Sequence, residues 1–200
     1  TTACKWDSVI DFELMWEQLN RIIKPNGAIV LFGSEPFSSA LRMSNIKNYK
    51  YDWIWIKEKA GNFQLAKKRP MKKTENISVF YKKQCLYNPQ GIKEINRINK
   101  NNKSKGGSMG HMSSVEKRKT YIQTHTGYPT ESIRFNNEKG FHESQKPVLL
   151  MEYLIKTYTN EGETVLDFTM GSGSAGVAAK NLNRNFIGIE QDENYFNIAK

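Results

Sequence analysis

Asp167, Gly171, Gly173, Gly176 and Glu190 are the residues whose types and spacing point most directly to chemistry. The glycines fit G-x-G-x-x-G, and Glu190 follows Gly171 by nineteen residues. In a nucleotide-binding fold that spacing joins a strand, a glycine turn, a helix and a second strand whose terminal acid takes ribose hydroxyls. A glycine turn can also serve chain reversal alone. In a dinucleotide site the first glycine directly follows the strand. Here Asp167, Phe168, Thr169 and Met170 intervene, so the loop is wider and carries a carboxylate. A carboxylate repels a pyrophosphate but suits a cation. S-adenosylmethionine (SAM) offers a sulfonium, an ammonium and a ribose diol, so the loop favours SAM over NAD.

The elements around these residues follow from local pattern. Thr164–Leu166 is short, apolar and β-branched, as a buried parallel strand requires. Ser174 is the expected cap of a helix with Ala175, Ala178, Ala179 and Leu182 on its apolar face. Asn185–Glu190 reads as the second strand. Upstream, Asp11 caps a helix with Phe12, Met15, Trp16, Leu19, Ile22 and Ile23 at helical spacing. Lys24-Pro25-Asn26-Gly27 ends it, and Ala28–Phe32 is a buried strand. Strands are expected around Tyr51–Lys57 and over Ile77–Tyr81, with Trp53 and Trp55 as core. Between them, Glu58–Glu75 reads as a basic loop carrying Lys67, Lys68, Arg69, Lys72 and Lys73. Pro147 starts a further helix with Val148, Met151, Leu154, Ile155 and Tyr158 on one face. Only ten residues follow Glu190, so the rest of the sheet must come from the N-terminal strands. The fold expected is α/β, a permuted, doubly wound Rossmann-like sheet with its cofactor half last.

Composition bounds the partners. The chain has 200 residues and a net charge of +10. Residues 82–139 hold twelve Lys or Arg against four Asp or Glu, a net +8, whereas residues 140–200 are net −3. A basic middle beside an acidic cofactor end points to a polyanion, DNA above all. A solvated Lys/Asn-rich segment would carry the same charge. From Gln84 to Lys139 periodicity fades, as in an insertion with little core of its own. Cys4 and Cys85 are the only cysteines, which fits a reducing cytoplasm. His111, His125 and His142 lack metal-ligand spacing, so no metal is expected. No run has the apolar length of a membrane span, so no membrane partner is expected.

Two motifs in this order resemble those of the β-arrangement DNA amino-methyltransferases, which act on adenine N6 or cytosine N4. Asp167-Phe168 followed by Gly171-Ser172-Gly173-Ser174 is similar to their Asp-Pro-Phe-x-Gly-Ser-Gly-Thr loop. His142-Glu143-Ser144-Gln145-Lys146-Pro147 is similar to their His-Pro-x-Gln-Lys-Pro motif, and Glu190 matches their ribose acid. The resemblance is nearest to phage or prophage adenine enzymes. Ala175 stands where Thr is common. The resemblance implies a catalytic half-sheet over residues 1–83, a basic target-recognition insertion over 84–139 and a SAM-binding half over 140–200. It places the family's catalytic Asp/Asn-Pro-Pro-Tyr turn upstream of Thr1, so no catalytic residue is assigned within the chain. Thr1 is then expected to be a fragment boundary, and the 200-residue chain to bind SAM but transfer methyl groups poorly.

The implied reaction moves a methyl group from SAM to the exocyclic amine of a flipped base, adenine N6 first. Asp167, Phe168, Gly171, Gly173 and Glu190 would line the cofactor pocket. Lys146 would neutralise the methionine carboxylate, and Ser34 with Glu35 would face either ligand. Lys67, Lys68, Arg69, Lys72 and Lys73 would hold the DNA backbone. The rival readings are a SAM enzyme with a small-molecule or protein substrate, a non-catalytic DNA- or cofactor-binding remnant, and a nicotinamide oxidoreductase.

Overall fold

The computed structural model describes residues 9–99, 121–138 and 145–200. Helix α1 spans Phe12–Ile22, with the Asp11 carboxylate accepting from the Leu14 N–H at its start. Strand β1 is Ile29–Gly33, and helix α2, Phe37–Ser44, follows it. Strands β2, Tyr49–Gly61, and β3, Lys72–Phe80, pair antiparallel as one long hairpin. Both are longer than their apolar runs. Ladder pairing carries them outward, from Ile56 opposite Thr74 to Gly61 opposite Lys72. Lys72 and Lys73 therefore belong to β3 and not to the basic loop expected over Glu58–Glu75.

Strand β6, Ser132–Arg134, runs parallel to β2 and completes a sheet in the order β1-β3-β2-β6. Alternation along β3 sends Ile77 and Val79 to one face and Phe80 to the other. On the first face they meet Trp53, Trp55 and the apolar side of helix α3, Val148–Tyr158, through Leu150, Leu154 and Tyr158. Burial of each such leucine contributes about 1.5–3 kcal/mol. The indole N–H groups are satisfied: Trp53 donates to the Tyr158 hydroxyl at 2.7 Å and Trp55 to the Phe135 carbonyl at 2.9 Å. On the second face Phe80 meets Trp16 and Leu19 of α1 and Leu41 of α2.

The C-terminal part is a β-α-β unit followed by a helix. Strand β7, Thr164–Asp167, pairs parallel with strand β8, Asn185–Gly188; helix α4, Ser174–Asn181, links them, and helix α5 is Glu193–Ala199. Ala178 and Ala179 of α4 pack against Ile155 of α3, so α3 is shared by both halves.

The single sheet expected from sequence is not closed by hydrogen bonds. Among the described residues β1 pairs with β3 and β7 with β8, and the two ladders remain separate. Ile29–Gly33 and Thr164–Asp167 instead border one cavity of about 1730 Å³.

Pro89–Pro129 form a second compact unit, built on the antiparallel pair β4, Lys93–Asn99, and β5, Tyr121–Thr126. Cys85 and Ile133, on either side of that unit in sequence, belong to the core of the first. No described helix is long and apolar enough to cross a membrane.

Candidate cofactor and nucleic-acid site

The glycine loop is held by backbone constraints that only small residues satisfy. Gly171 and Gly173 have φ of 54° and 80°, in the left-handed region. A Cβ on Gly176 would stand 2.9 Å from the Phe186 ring, so this glycine lets α4 close onto β8. The cap of α4 is Gly173, with no side-chain acceptor, and Ser174 is the first helical residue. The expected Ser174 cap is thus displaced by one position, because the left-handed turn at Gly173 brings the chain into the helix.

Two carboxylates flank this loop. Glu190 accepts from the Gly171 N–H at 2.8 Å through Oε2 and from the Asp192 N–H at 2.9 Å through Oε1. Each oxygen keeps a further lone pair for a ligand hydroxyl. Asp167 accepts from the Thr169 N–H at 3.1 Å. Burial pushes the Asp167 carboxyl above its ordinary value of 3.8; the Thr169 N–H opposes this and the Glu190 charge adds to it. The free loop therefore carries more negative charge than its own residues neutralise, which suits a cation. Phe168, between them, also packs on the cluster of Trp16 and Phe80.

The second motif meets the first. Ser172 Oγ donates to Gln145 Oε1 at 2.8 Å. The next residue, Lys146, lies 3.0 Å from Glu75 on β3, with its ammonium 5.2 Å from the centre of the Phe32 ring. Lys57 reaches the same carboxylate at 2.7 Å. Burial pushes the Glu75 carboxyl up, but Lys146 and Lys57 outweigh it and hold it below the usual range. Lys146, expected at a ligand carboxylate, thus already has a protein partner. Glu75 and Lys57 belong to no motif in the sequence; only the assembled hairpin brings them beside Lys146.

Ser34 lies on the cavity wall just after β1. Glu35, just before α2, is engaged by that helix: it accepts from the Ser39 N–H at 3.2 Å and from Ser39 Oγ at 2.6 Å, and it pairs with Arg42. Arg42 in turn pairs with Asp52 of β2. Glu35 thus anchors the helix and, like Ser34, borders the cavity.

The basic loop lies at the same cavity. Asn62, Arg69 and Lys72 border it together with Asp167, Phe168, Gly171, Glu190, Lys146 and Ser34. Lys67, Lys68, Arg69 and Lys73 are exposed and Lys72 is half-buried. One cavity thus has an acidic glycine loop and a basic hairpin end on its walls. His142, Glu143 and Ser144 lie outside the described residues, as do residues 100–120 of the basic segment and residues 1–8.

Comparison with known proteins gives a consistent picture. The family described as DNA methylase matches residues 5–200. The chain is similar to the type II methyltransferase M2.DpnII of Streptococcus pneumoniae, 30% identical over 207 residues that cover 98% of this chain and 69% of the relative. It is 48% identical over 68 residues to the type II methyltransferase M.HindIII of Haemophilus influenzae, covering 34% of this chain and 22% of that one. Among solved structures, the M1.HpyAVI–SAM complex superposes with a TM-score of 0.62 at 30% identity, over 93% of this chain and 78% of that one. The cytosine-N4-specific PvuII DNA methyltransferase shares the fold at 14% identity, with a TM-score of 0.65 over 94% and 67%.

Proposed function

The chain belongs to the DNA methylase family, and from that premise we propose that it serves SAM-dependent, site-specific methylation of an exocyclic amine in DNA. The observation that carries this reading is the shared cavity, with an acidic glycine loop on one wall and Arg69 and Lys72 of the basic hairpin on another. A dinucleotide would bring its pyrophosphate against Asp167, whereas a sulfonium cofactor brings positive charge.

In this reading SAM, when bound, supplies an electrophilic methyl group. Glu190 holds the ribose diol while its bond to Gly171 fixes the loop. Asp167 faces the ligand's positive charge, and Phe168 provides an apolar wall. Gly171 and Gly173 let the backbone approach closely. Lys146, held by Glu75, is placed to meet the ligand carboxylate. Ser34 borders the acceptor side. Lys67, Lys68, Arg69, Lys72 and Lys73 hold phosphates and orient the duplex, with a contribution from the basic segment 84–139 as target-recognition insertion. Residues 1–83 and 140–200 are the substrate and cofactor halves. The acceptor amine in this proposal is adenine N6, after the resemblance to adenine enzymes, and the reaction belongs in the cytoplasm, where DNA and SAM meet.

The test uses the protein encoded by the whole reading frame that contains these residues. It is given SAM with a labelled methyl group and unmethylated plasmid DNA, and the DNA is digested to nucleosides. Label in N6-methyladenine supports the full reading. Label in N4-methylcytosine supports the reaction and corrects the acceptor. Unlabelled DNA contradicts the proposal.

A further inference from the structure

Phe63 opens a short 3-10 turn, Phe63–Leu65, at the end of the β2–β3 hairpin. It leaves 80% of its surface to solvent, the greatest exposure of any large apolar side chain among the described residues. Single exposed apolar side chains are ordinary on proteins. The setting of this one is not.

The turn is built to hold the ring out. Asn62 enters it with φ of 64°, in the left-handed region. Its backbone bonds follow without a break: Leu65 N–H to Asn62 O at 3.0 Å, Ala66 N–H to Phe63 O at 3.0 Å, and Lys68 and Arg69 N–H to Leu65 O at 2.9 and 3.0 Å. Asn62 and Gln64 flank the ring in sequence, Leu65 and Ala66 follow, and the next three residues are the cations Lys67, Lys68 and Arg69. A protein-binding patch would group several apolar side chains. An exposed ring followed closely by three cations fits a nucleic acid, whose bases offer flat apolar faces and whose backbone offers phosphates. The same hairpin end borders the donor cavity through Asn62, Arg69, Pro70 and Lys72.

Methylating an exocyclic amine requires the base to leave the stack, and that leaves a gap which an apolar wedge can fill. We propose that Phe63 is that wedge: it enters the duplex beside the target and stacks on the bases flanking the extruded nucleotide, while Lys67, Lys68 and Arg69 hold the neighbouring phosphates. This rests on the DNA-methylation reading above. Phe63 is a positioning residue, acting through the conformation of the DNA.

The experiment again uses the product of the whole reading frame. Wild-type protein first maps the methylated site on plasmid DNA. Short duplexes with that site are then made in two forms, one fully paired and one with an abasic position opposite the target, where extrusion is already easy. 2-Aminopurine at or beside the target reports unstacking by fluorescence. Phe63→Ala is expected to slow methylation of the paired duplex about tenfold or more and to lose most of the fluorescence rise. On the abasic duplex the defect is expected to shrink to less than about threefold, since the extrusion cost is already met. Phe63→Trp, which keeps a stacking face, is expected to retain wild-type behaviour on both. Wild-type behaviour of Phe63→Ala on the paired duplex overturns the proposal, and so does an equal defect on both duplexes. If the wild-type protein methylates no DNA, the DNA-methylation reading itself fails. If it methylates and the Phe63→Ala pattern is absent, only the wedge fails.

Discussion

Ser172 Oγ donates a 2.8 Å hydrogen bond to Gln145 Oε1, joining two sequence motifs that lie 27 residues apart. The glycine loop is thereby tied to the segment that places Lys146 beside Glu75. Loop shape and the charge cluster on β3 are linked through one neutral, half-buried bond.

That link predicts energetic coupling. Ser172→Ala and Gln145→Ala should each weaken SAM binding, by about 0.5–1.5 kcal/mol, the usual net value of such a bond. The double variant should cost less than the sum of the two, because both remove the same interaction. Calorimetric titration of the four proteins measures the coupling. Strictly additive losses would mean that the bond does not support the loop.

Asp167 predicts a pH dependence with a definite sign. Its folded pKa is raised above the ordinary value of 3.8, chiefly by burial. Its stabilising contribution is therefore complete below the unfolded value and lost as pH rises through the folded one. At neutral pH the free protein holds an unfavourable charge, which a cationic ligand neutralises. Asp167→Asn keeps an oxygen for the Thr169 N–H but removes that charge. It should raise the melting temperature of the free protein at pH 7 and weaken SAM by about tenfold, the scale of a lost charge-assisted bond. Wild-type affinity should increase from pH 4 to pH 7, and that increase should be smaller in Asp167→Asn. Equal pH profiles for the two proteins would remove Asp167 from the cofactor site.

The basic hairpin end predicts a salt signature. Replacing Lys67, Lys68 and Arg69 with glutamine should flatten the dependence of log K on log salt by about 0.9 for each phosphate no longer neutralised. These side chains are exposed, so the melting temperature should hold. Fluorescence anisotropy with a labelled duplex across a salt series measures the slope. An unchanged slope would show that this loop does not touch phosphate.

Much of the site was legible because it depends on local pattern. Short apolar strands, a helix of small residues and left-handed glycines define the β7–α4–β8 unit within one stretch of sequence. Trp53 and Trp55 were legible as core for the same reason, and both are buried. The rest depends on long-range register. Lys146, Glu75 and Lys57 become one ion cluster only when α3 and the β2–β3 hairpin are assembled. Helix α2 claims Glu35 through Arg42 and Ser39, a local geometry that side-chain type alone does not reveal. The extra length of β2 and β3 is set by ladder pairing across polar residues, where hydrophobic alternation falls silent.

Isothermal calorimetry of this 200-residue chain with SAM tests most directly whether the acidic glycine loop holds SAM. Wild-type protein should bind SAM at a single site and leave NAD unbound. Glu190→Ala should weaken SAM by about 1.5–3 kcal/mol, the cost of a charge-assisted hydrogen bond. Glu190→Gln, which keeps an acceptor for the Gly171 N–H, should fall between the two. Unchanged SAM affinity in Glu190→Ala, or preferential binding of NAD by the wild type, would contradict the account.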